Sequence, residues 1–266
     1  MVRVAWDAAT ASTSATLDRS TVEPAPDPSA PSTTGVLVVT LDRPERRNAV
    51  DHATLLALRD AQRDAAGARV LVLTGTPPAF CAGADLTGVE EGAFTQLLGD
   101  VLRGFTGLPI PTIAAIDGAA LGAGAQLAVA CDLRVATPDS RFGVPAAKLG
   151  LAVDHWTVER LARELGWPVA RAMLLGAETY RGAALHLTGA VHRLGGLDEA
   201  LAWAREIAGL APLTIAAHKL ALETSGPEPV ADEAVEVARL AAWASADAVE
   251  GRQAFLAKRP ARFTGA

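Results

Sequence analysis

Two short stretches rich in small residues carry the first hint of chemistry in this chain: "FCAGADL" at 80–86 and "DGAALGAGAQL" at 117–127. Each follows a β-type apolar run, and each reads as a turn opening toward a helix. There the first N–H groups lack partners and the macrodipole favours negative charge. Glycine at 83, 122 and 124 lets another group approach the main chain closely. Two such turns together can aim a pair of main-chain donors at one oxygen, an arrangement that stabilises a developing oxyanion. The same glycines would also serve tight turns and helix packing alone.

A third stretch, "FGVPAAKLGLAVDHW" at 142–156, is laid out as a strand and turn. It offers few groups that transfer a proton near neutral pH. Asp154 is its acid, and an aspartate before "HWTVERLAREL" is equally a helix cap. His155 next to it reads as surface or core, and Lys148 as a solvated strand end. Cys81 and Cys131 stand 50 residues apart with no metal-ligand spacing around them, so both read as buried free thiols.

These residues need elements to hold them. "GVLVVTLDRP" (35–44), "ARVLVLTG" (68–75), "PTIAAIDG" (111–118) and "DLRVATP" (132–138) read as strands, several of them buried on both faces. Helical patterns fall at 51–66, with Asp51 as N-cap, and at 157–166, 168–176, 180–186, 197–210, 213–223 and 230–257, with Trp243, Ala246 and Phe255 at apolar positions of the last helices. The fold class is therefore α/β, with strands gathered N-terminally and helices C-terminally. Two readings of the N-terminus stand side by side: a linker or tail, or "VRVAW" at 2–6 as an edge strand pairing with the next one. The Ala/Ser/Thr/Pro-rich segment 8–34 is then a low-complexity extension or a hairpin insertion.

Half of the 266 residues are hydrophobic, 20% are charged, and the net charge is −6. An acidic average and few aromatics argue against a nucleic-acid partner. No apolar run is long enough for membrane insertion, and the chain reads as cytoplasmic. An anionic ligand would need a local basic cluster.

The order and spelling of "LDRPERRNAV" (41–50), "VLTGTPPAFCAGADL" (72–86), "PTIAAIDGAALGAGAQLAVACDLRVA" (111–136), "FGVPAAKLGL" (142–151), "ARAMLLGAETY" (170–180) and "EGRQAFLAKRPARF" (250–263) resemble the enoyl-CoA hydratase/isomerase, or crotonase, family. The resemblance implies a spiral of ββα turns with a C-terminal helical trimerisation region. It divides the chain into an N-terminal extension (1–34), a spiral core with the acyl-CoA site (35–195) and a C-terminal helical region (196–266). It implies a homotrimer or a hexamer of paired trimers, and an acyl-CoA ligand of lipid metabolism with no cofactor beyond the CoA of that ligand.

By the same resemblance the thioester oxygen would be held by the N–H groups of Ala84 and Ala123. Arg43, Arg46 and Arg47, the stretch Ala82, Gly83, Asp85 and Leu86, and the C-terminal Phe255 and Lys258 would lie along CoA, the last two often reaching in from a neighbouring subunit. Thr87 stands where the family often has a lysine. The two hydratase glutamates fall on Gln126 and Ala146, neither of which titrates near neutral pH. Asp154 matches the acid of dienoyl-CoA isomerases, and in an apolar acyl pocket its pKa would rise, as a base requires. Three readings follow: an acyl-CoA binder that does not hydrate, an isomerase or related acyl-CoA enzyme working through Asp154, and an assembly protein that binds no ligand.

Overall fold

The computed structural model describes residues 1–7, 35–85, 87, 91–225 and 233–266, with the side chains of Glu91 and Phe255 excepted. Segment 8–34 and Leu86 lie outside the described residues.

The strands are β1 (Val2–Trp6), β2 (Val36–Leu41), β3 (Val70–Gly75), β4 (Thr112–Ile116), β5 (Ala119–Leu121), β6 (Leu133–Ala136), β7 (Arg141–Gly143), β8 (Thr179–Arg181) and β9 (Arg193–Leu194). The helices are α1 (His52–Asp64), α2 (Glu91–Gly107), α3 (Ala123–Ala130), α4 (His155–Leu165), α5 (Trp167–Leu175), α6 (Gly182–Leu187), α7 (Leu197–Ala208), α8 (Pro212–Thr224), α9 (Glu233–Ala244) and α10 (Ala246–Leu256). The main sheet runs β1-β2-β3-β4-β6-β9, and a smaller one runs β5-β7-β8. β1 pairs antiparallel with β2, which is the edge-strand alternative for residues 2–6, and β2, β3, β4, β6 and β9 are mutually parallel.

Alternation along β3 explains why it reads as continuously apolar. Leu71 and Leu73 join the large core with Leu55, Leu58, Val101 and Leu102 of α1 and α2. Val70 and Val72 face the other way, onto Ala200, Ala204 and Ile207 of α7. A strand covered on both faces gains from apolar residues at every position. The small alanines of α7 let that helix lie close to the sheet.

Asp51 caps α1 as expected, its carboxylate accepting from the Thr54 N–H at 2.8 Å. Three expectations change. The C-terminal half keeps two short strands, β8 and β9. Of the pattern at 230–257, the described residues form two helices rather than one: α9 ends at Ala244, and the Ser245 hydroxyl accepts from the Ala248 N–H at 3.1 Å, starting α10 afresh. Trp243, placed at an apolar position, is 65% exposed and borders a cavity of about 450 Å³ between α8, α9 and α10.

α4, which carries Asp154 at its start, is tied down by buried charge. Arg134 donates to the main-chain oxygens of Ala190 and Cys131 and to Glu164 at 2.5 Å. Arg160 donates to Val129 O at 2.7 Å and forks onto both oxygens of Glu223. Since each guanidinium is paired and hydrogen-bonded, the burial is tolerated.

Candidate functional site

The first small-residue loop is fastened to the segment before α1. Asn48, buried and at a left-handed φ of 57°, donates from its amide to Thr76 O at 2.7 Å and Ala79 O at 2.6 Å. Main-chain bonds continue the seam: Ala82 N–H to Arg47 O, Val50 N–H to Gly83 O and Asp85 N–H to Val50 O, at 2.8–3.0 Å. The Ala84 N–H between them makes no such bond, because Ala84 bridges Val50 with its other edge. The left-handed φ of Gly83, +123°, makes the turn possible.

The second loop is welded to the first. Cys81 N–H donates to Ala119 O at 2.8 Å and Leu121 N–H to Cys81 O at 3.0 Å. Gly122, with φ +53°, then turns the chain into α3, so Ala123 is the first residue of the helix and its N–H has no intrahelical acceptor. Gly124 must lack a side chain: a Cβ there would sit 2.1 Å from Cys81 O. Ala84 and Ala123 therefore stand on two abutting segments with their N–H groups unpaired among the described residues. The expectation that both loops open helices is corrected. Only the second does, since α2 begins at Glu91, well past Asp85.

Gln126 and Ala146 stand on elements that adjoin these two segments. Gln126 lies one turn into α3, is 6% exposed, and its Oε1 has no hydrogen-bond partner. Ala146 sits in the 3-10 turn Pro145–Leu149 that follows β7, a strand whose Gly143 O accepts the Gly122 N–H at 2.9 Å. No carboxylate occupies either place.

Asp154 is the N-cap of α4, accepting from the Thr157 N–H at 3.0 Å, and it is exposed. The expectation of a carboxylate enclosed in apolar walls does not hold, because the cap geometry keeps it at the surface. It borders an open cleft of about 590 Å³ whose other lining residues are Gly92, Thr95, Gln96, Gly99 and Arg103 of α2. His155 is 87% exposed and Lys148 is exposed, so both are surface residues.

The basic residues separate into two kinds. Arg46 and Arg47 are exposed and carry no ion pair among the described residues. Arg43 differs: its guanidinium lies 3.0 Å from Asp51 and 3.0 Å from Asp85 and donates to Ala49 O at 2.6 Å. Its charge is already answered within the chain by two carboxylates. Asp85 is accounted for in the same way, and the Arg43 hydrogen bond, followed by those from Thr87, holds its carboxyl below the usual carboxylate range. Lys258 is exposed just past α10, which packs chiefly on α9.

Cys81 and Cys131 are buried and free, as expected. Burial pushes both thiols up to about 12, far from a nucleophilic thiolate. Among the described residues no group of three or more His, Cys, Asp or Glu side chains could hold a metal ion, and no helix is long and apolar enough to cross a membrane. The residues that sequence reasoning missed are Asn48 and the Arg43 to Asp85 ion pair. The signal for Asn48 was an asparagine just before a strand-to-helix turn, where left-handed φ is tolerated.

The Enoyl-CoA hydratase/isomerase family model matches residues 32–266. A protein of Mycobacterium tuberculosis named probable enoyl-CoA hydratase echA6 is 45% identical over 235 residues, 87% of this chain and 96% of its own. Its namesake in Mycobacterium leprae is 43% identical over 239 residues, covering 87% and 97%. Among solved structures, a putative enoyl-CoA hydratase from Streptomyces coelicolor superposes with a TM-score of 0.80 at 31% identity, covering 94% of this chain and all of the other. A putative enoyl-CoA hydratase/isomerase family protein from Hyphomonas neptunium gives 0.80 at 30%, covering 88% and 96%. With the alternating strands and helices, the two abutting loops and the helical C-terminal region, these matches place the chain in the enoyl-CoA hydratase/isomerase family, with the crotonase fold.

Proposed function

We propose that this protein binds an acyl-CoA thioester between the Ala84 and Ala123 N–H groups and does not hydrate enoyl-CoA at a useful rate. The observation that carries this reading is a contrast: two main-chain donors on abutting segments, unpaired among the described residues, with Gln126 and Ala146 on the adjoining elements at the positions where the family resemblance puts the two hydratase carboxylates. Donors so placed hold a carbonyl oxygen. Adding water across a double bond also needs a base for the water and a proton for the α carbon. Each such group is worth about 10²–10⁴-fold, and they are not additive when they act together. Arg46 and Arg47, exposed and without counter-charges among the described residues, are the cations offered to the CoA phosphates, with Lys258 and Phe255 added from a neighbouring subunit of a homotrimer or hexamer. The reading places the protein in the cytoplasm, in lipid metabolism, needing no cofactor besides the CoA of its ligand.

Calorimetric titration with long-chain acyl-CoA, run beside an enoyl-absorbance assay with crotonyl-CoA, tests it. Tight binding with no turnover is the expected pair of results. Robust hydration would overturn the reading, and absent binding would favour an assembly protein without ligand.

A second reading follows from the cleft that Asp154 shares with α2. An isomerase needs a single base to shuttle a proton along the acyl chain, and Asp154 would be that base. Asp154→Asn keeps the helix cap and removes the base, so an isomerase activity lost in this variant would establish the second reading over the first.

A further inference from the structure

The last helix, α10, has two unlike faces. Val249 and Leu256 stand on one and are exposed. Asp247, Glu250, Gly251 and Ala254 share the other by helical spacing, and the chain beyond the helix turns back to cover it. The Phe263 ring lies over Gly251, where a Cβ would meet it at 3.4 Å. The buried Asp247 carboxylate accepts from the Thr264 N–H at 2.7 Å and the Gly265 N–H at 2.8 Å, and the Asp247 N–H donates to Ala266 O at 3.2 Å. Glu250 accepts from both terminal nitrogens of the Arg259 guanidinium, at 2.6 and 2.8 Å, and from the Arg262 N–H at 2.9 Å. Those bonds, that of Arg259 first, hold the Glu250 carboxyl down to about 2, so this anchor stays charged at neutral pH. Lys258 stands at the hinge between helix and returning segment, at a left-handed φ of 52°. Such a backbone is strained for lysine, and the Arg259 fork on Glu250 offsets the strain.

The same segment reaches the core. A Cβ at Gly265 would lie 3.2 Å from Pro212, the first residue of α8, and 3.8 Å from the Arg69 guanidinium. Arg69 directly precedes β3. Its side chain donates to Leu210 O at 3.1 Å and its N–H to Gly35 O at 2.6 Å, so this one residue meets the sheet, the α7 to α8 turn and the returning segment. Desolvation lowers the Arg69 pKa, and the Asp247 charge opposes that. α10 otherwise packs chiefly on α9. Contacts along the segment are mostly polar, and an open pocket of about 550 Å³ remains between it and α10. A polar, incompletely filled contact can part without exposing a core, which makes it a site of local opening.

We propose that residues 259–266 form a clasp that docks α10 onto the core and can open while the rest of the chain stays folded, so that the clasp sets how Lys258 and the Val249 and Leu256 face of α10 are presented. This inference goes beyond the acyl-CoA reading and does not rest on it.

Amide hydrogen exchange of the full chain, read on peptides from α10, the returning segment, β3 and α3, tests it in the wild type, Asp247→Ala and Gly265→Ala. Asp247→Ala removes the acceptor on the helix. Gly265→Ala leaves α10 itself untouched and unseats the segment, since φ is +86° there and the new methyl group meets Pro212. In both variants residues 246–256 and 261–266 should exchange about tenfold faster, the scale of a lost hydrogen bond to a charged group, while β3 and α3 stay as in the wild type. Unchanged exchange over 246–256 in Gly265→Ala would mean that α10 docks without the clasp. A rise shared equally by β3 and α3 would mean that the clasp opens only with the whole fold. Either result overturns the proposal, and neither bears on acyl-CoA binding.

Discussion

The Arg43 guanidinium lies 3.0 Å from Asp85, and this contact joins the turn before α1 to the loop that carries Ala84. Both side chains are largely covered, and Arg43 is also held by Asp51 and by Ala49 O. Together with the Val50 seam, the pair fixes the direction in which the Ala84 N–H points. In the proposed acyl-CoA reading the pair would act on the ligand through the main chain. Asp85→Asn should weaken binding of an acyl-CoA thioester severalfold while leaving a thioether analogue, which has no carbonyl oxygen, nearly unaffected. Titrating both ligands separates this from direct CoA contact, because a phosphate-binding role for Arg43 would make Arg43→Gln weaken both equally.

Asp154 has a structural duty that can be measured apart from any chemistry. Removing an N-cap carboxylate typically costs about 1 kcal/mol. Asp154→Ala should lower stability by about that amount in urea titration, while Asp154→Asn should stay close to wild type. If acyl-CoA affinity is unchanged in both, Asp154 is a cap and nothing more for binding.

Much of this was legible in the sequence because it rests on local rules. The β-branched runs at 35–44, 68–75, 111–118 and 132–138 became four strands of the main sheet, and Asp51 capped the helix its position suggested. β5, β8 and β9 were not read, since strands of two or three residues are defined by their partners rather than by their own pattern. α2, spanning 17 residues, was also missed: its apolar positions, Phe94, Leu97, Leu98, Val101, Leu102 and Phe105, follow the helical period, but glycines at 92, 99, 104 and 107 disguised it. Around the candidate site, the side-chain partnerships were not legible. Arg43 looks like Arg46 in the sequence, and only the fold brings Asp85 across to one and leaves the other exposed. Likewise, nothing local distinguishes an enclosed Asp154 from an exposed one.

The close approach of α3 to Cys81 makes Gly124 a sensitive probe of the donor pair. A methyl group placed 2.1 Å from Cys81 O overlaps a main-chain atom, so helix and loop must move apart. Gly124→Ala should destabilise the fold by about 1–3 kcal/mol, the usual range for overpacking. It should also lower thioester affinity more than thioether affinity, because the displaced atoms belong to the segments carrying Ala84 and Ala123. A control at Gly107, where a Cβ meets no atom within 4 Å, should leave both affinities unchanged.

His192 gives the fold a specific pH dependence. Its Nδ1 accepts the Arg134 N–H at 3.1 Å, which requires the unprotonated nitrogen. Desolvation first, and then the Arg134 guanidinium, push its pKa down to about 4 from an ordinary value of 6.5. Between these values the unfolded chain takes up a proton that the folded chain refuses, so the proton-binding difference favours unfolding as pH falls. This histidine's contribution is complete above about pH 6.5 and is lost progressively as pH drops toward about 4. Chemical denaturation of wild type and His192→Asn across that window should show a steeper fall for the wild type. Asparagine preserves an acceptor for the Arg134 N–H without titrating. Parallel curves would mean that the ring is as free to protonate in the folded chain as in the unfolded one.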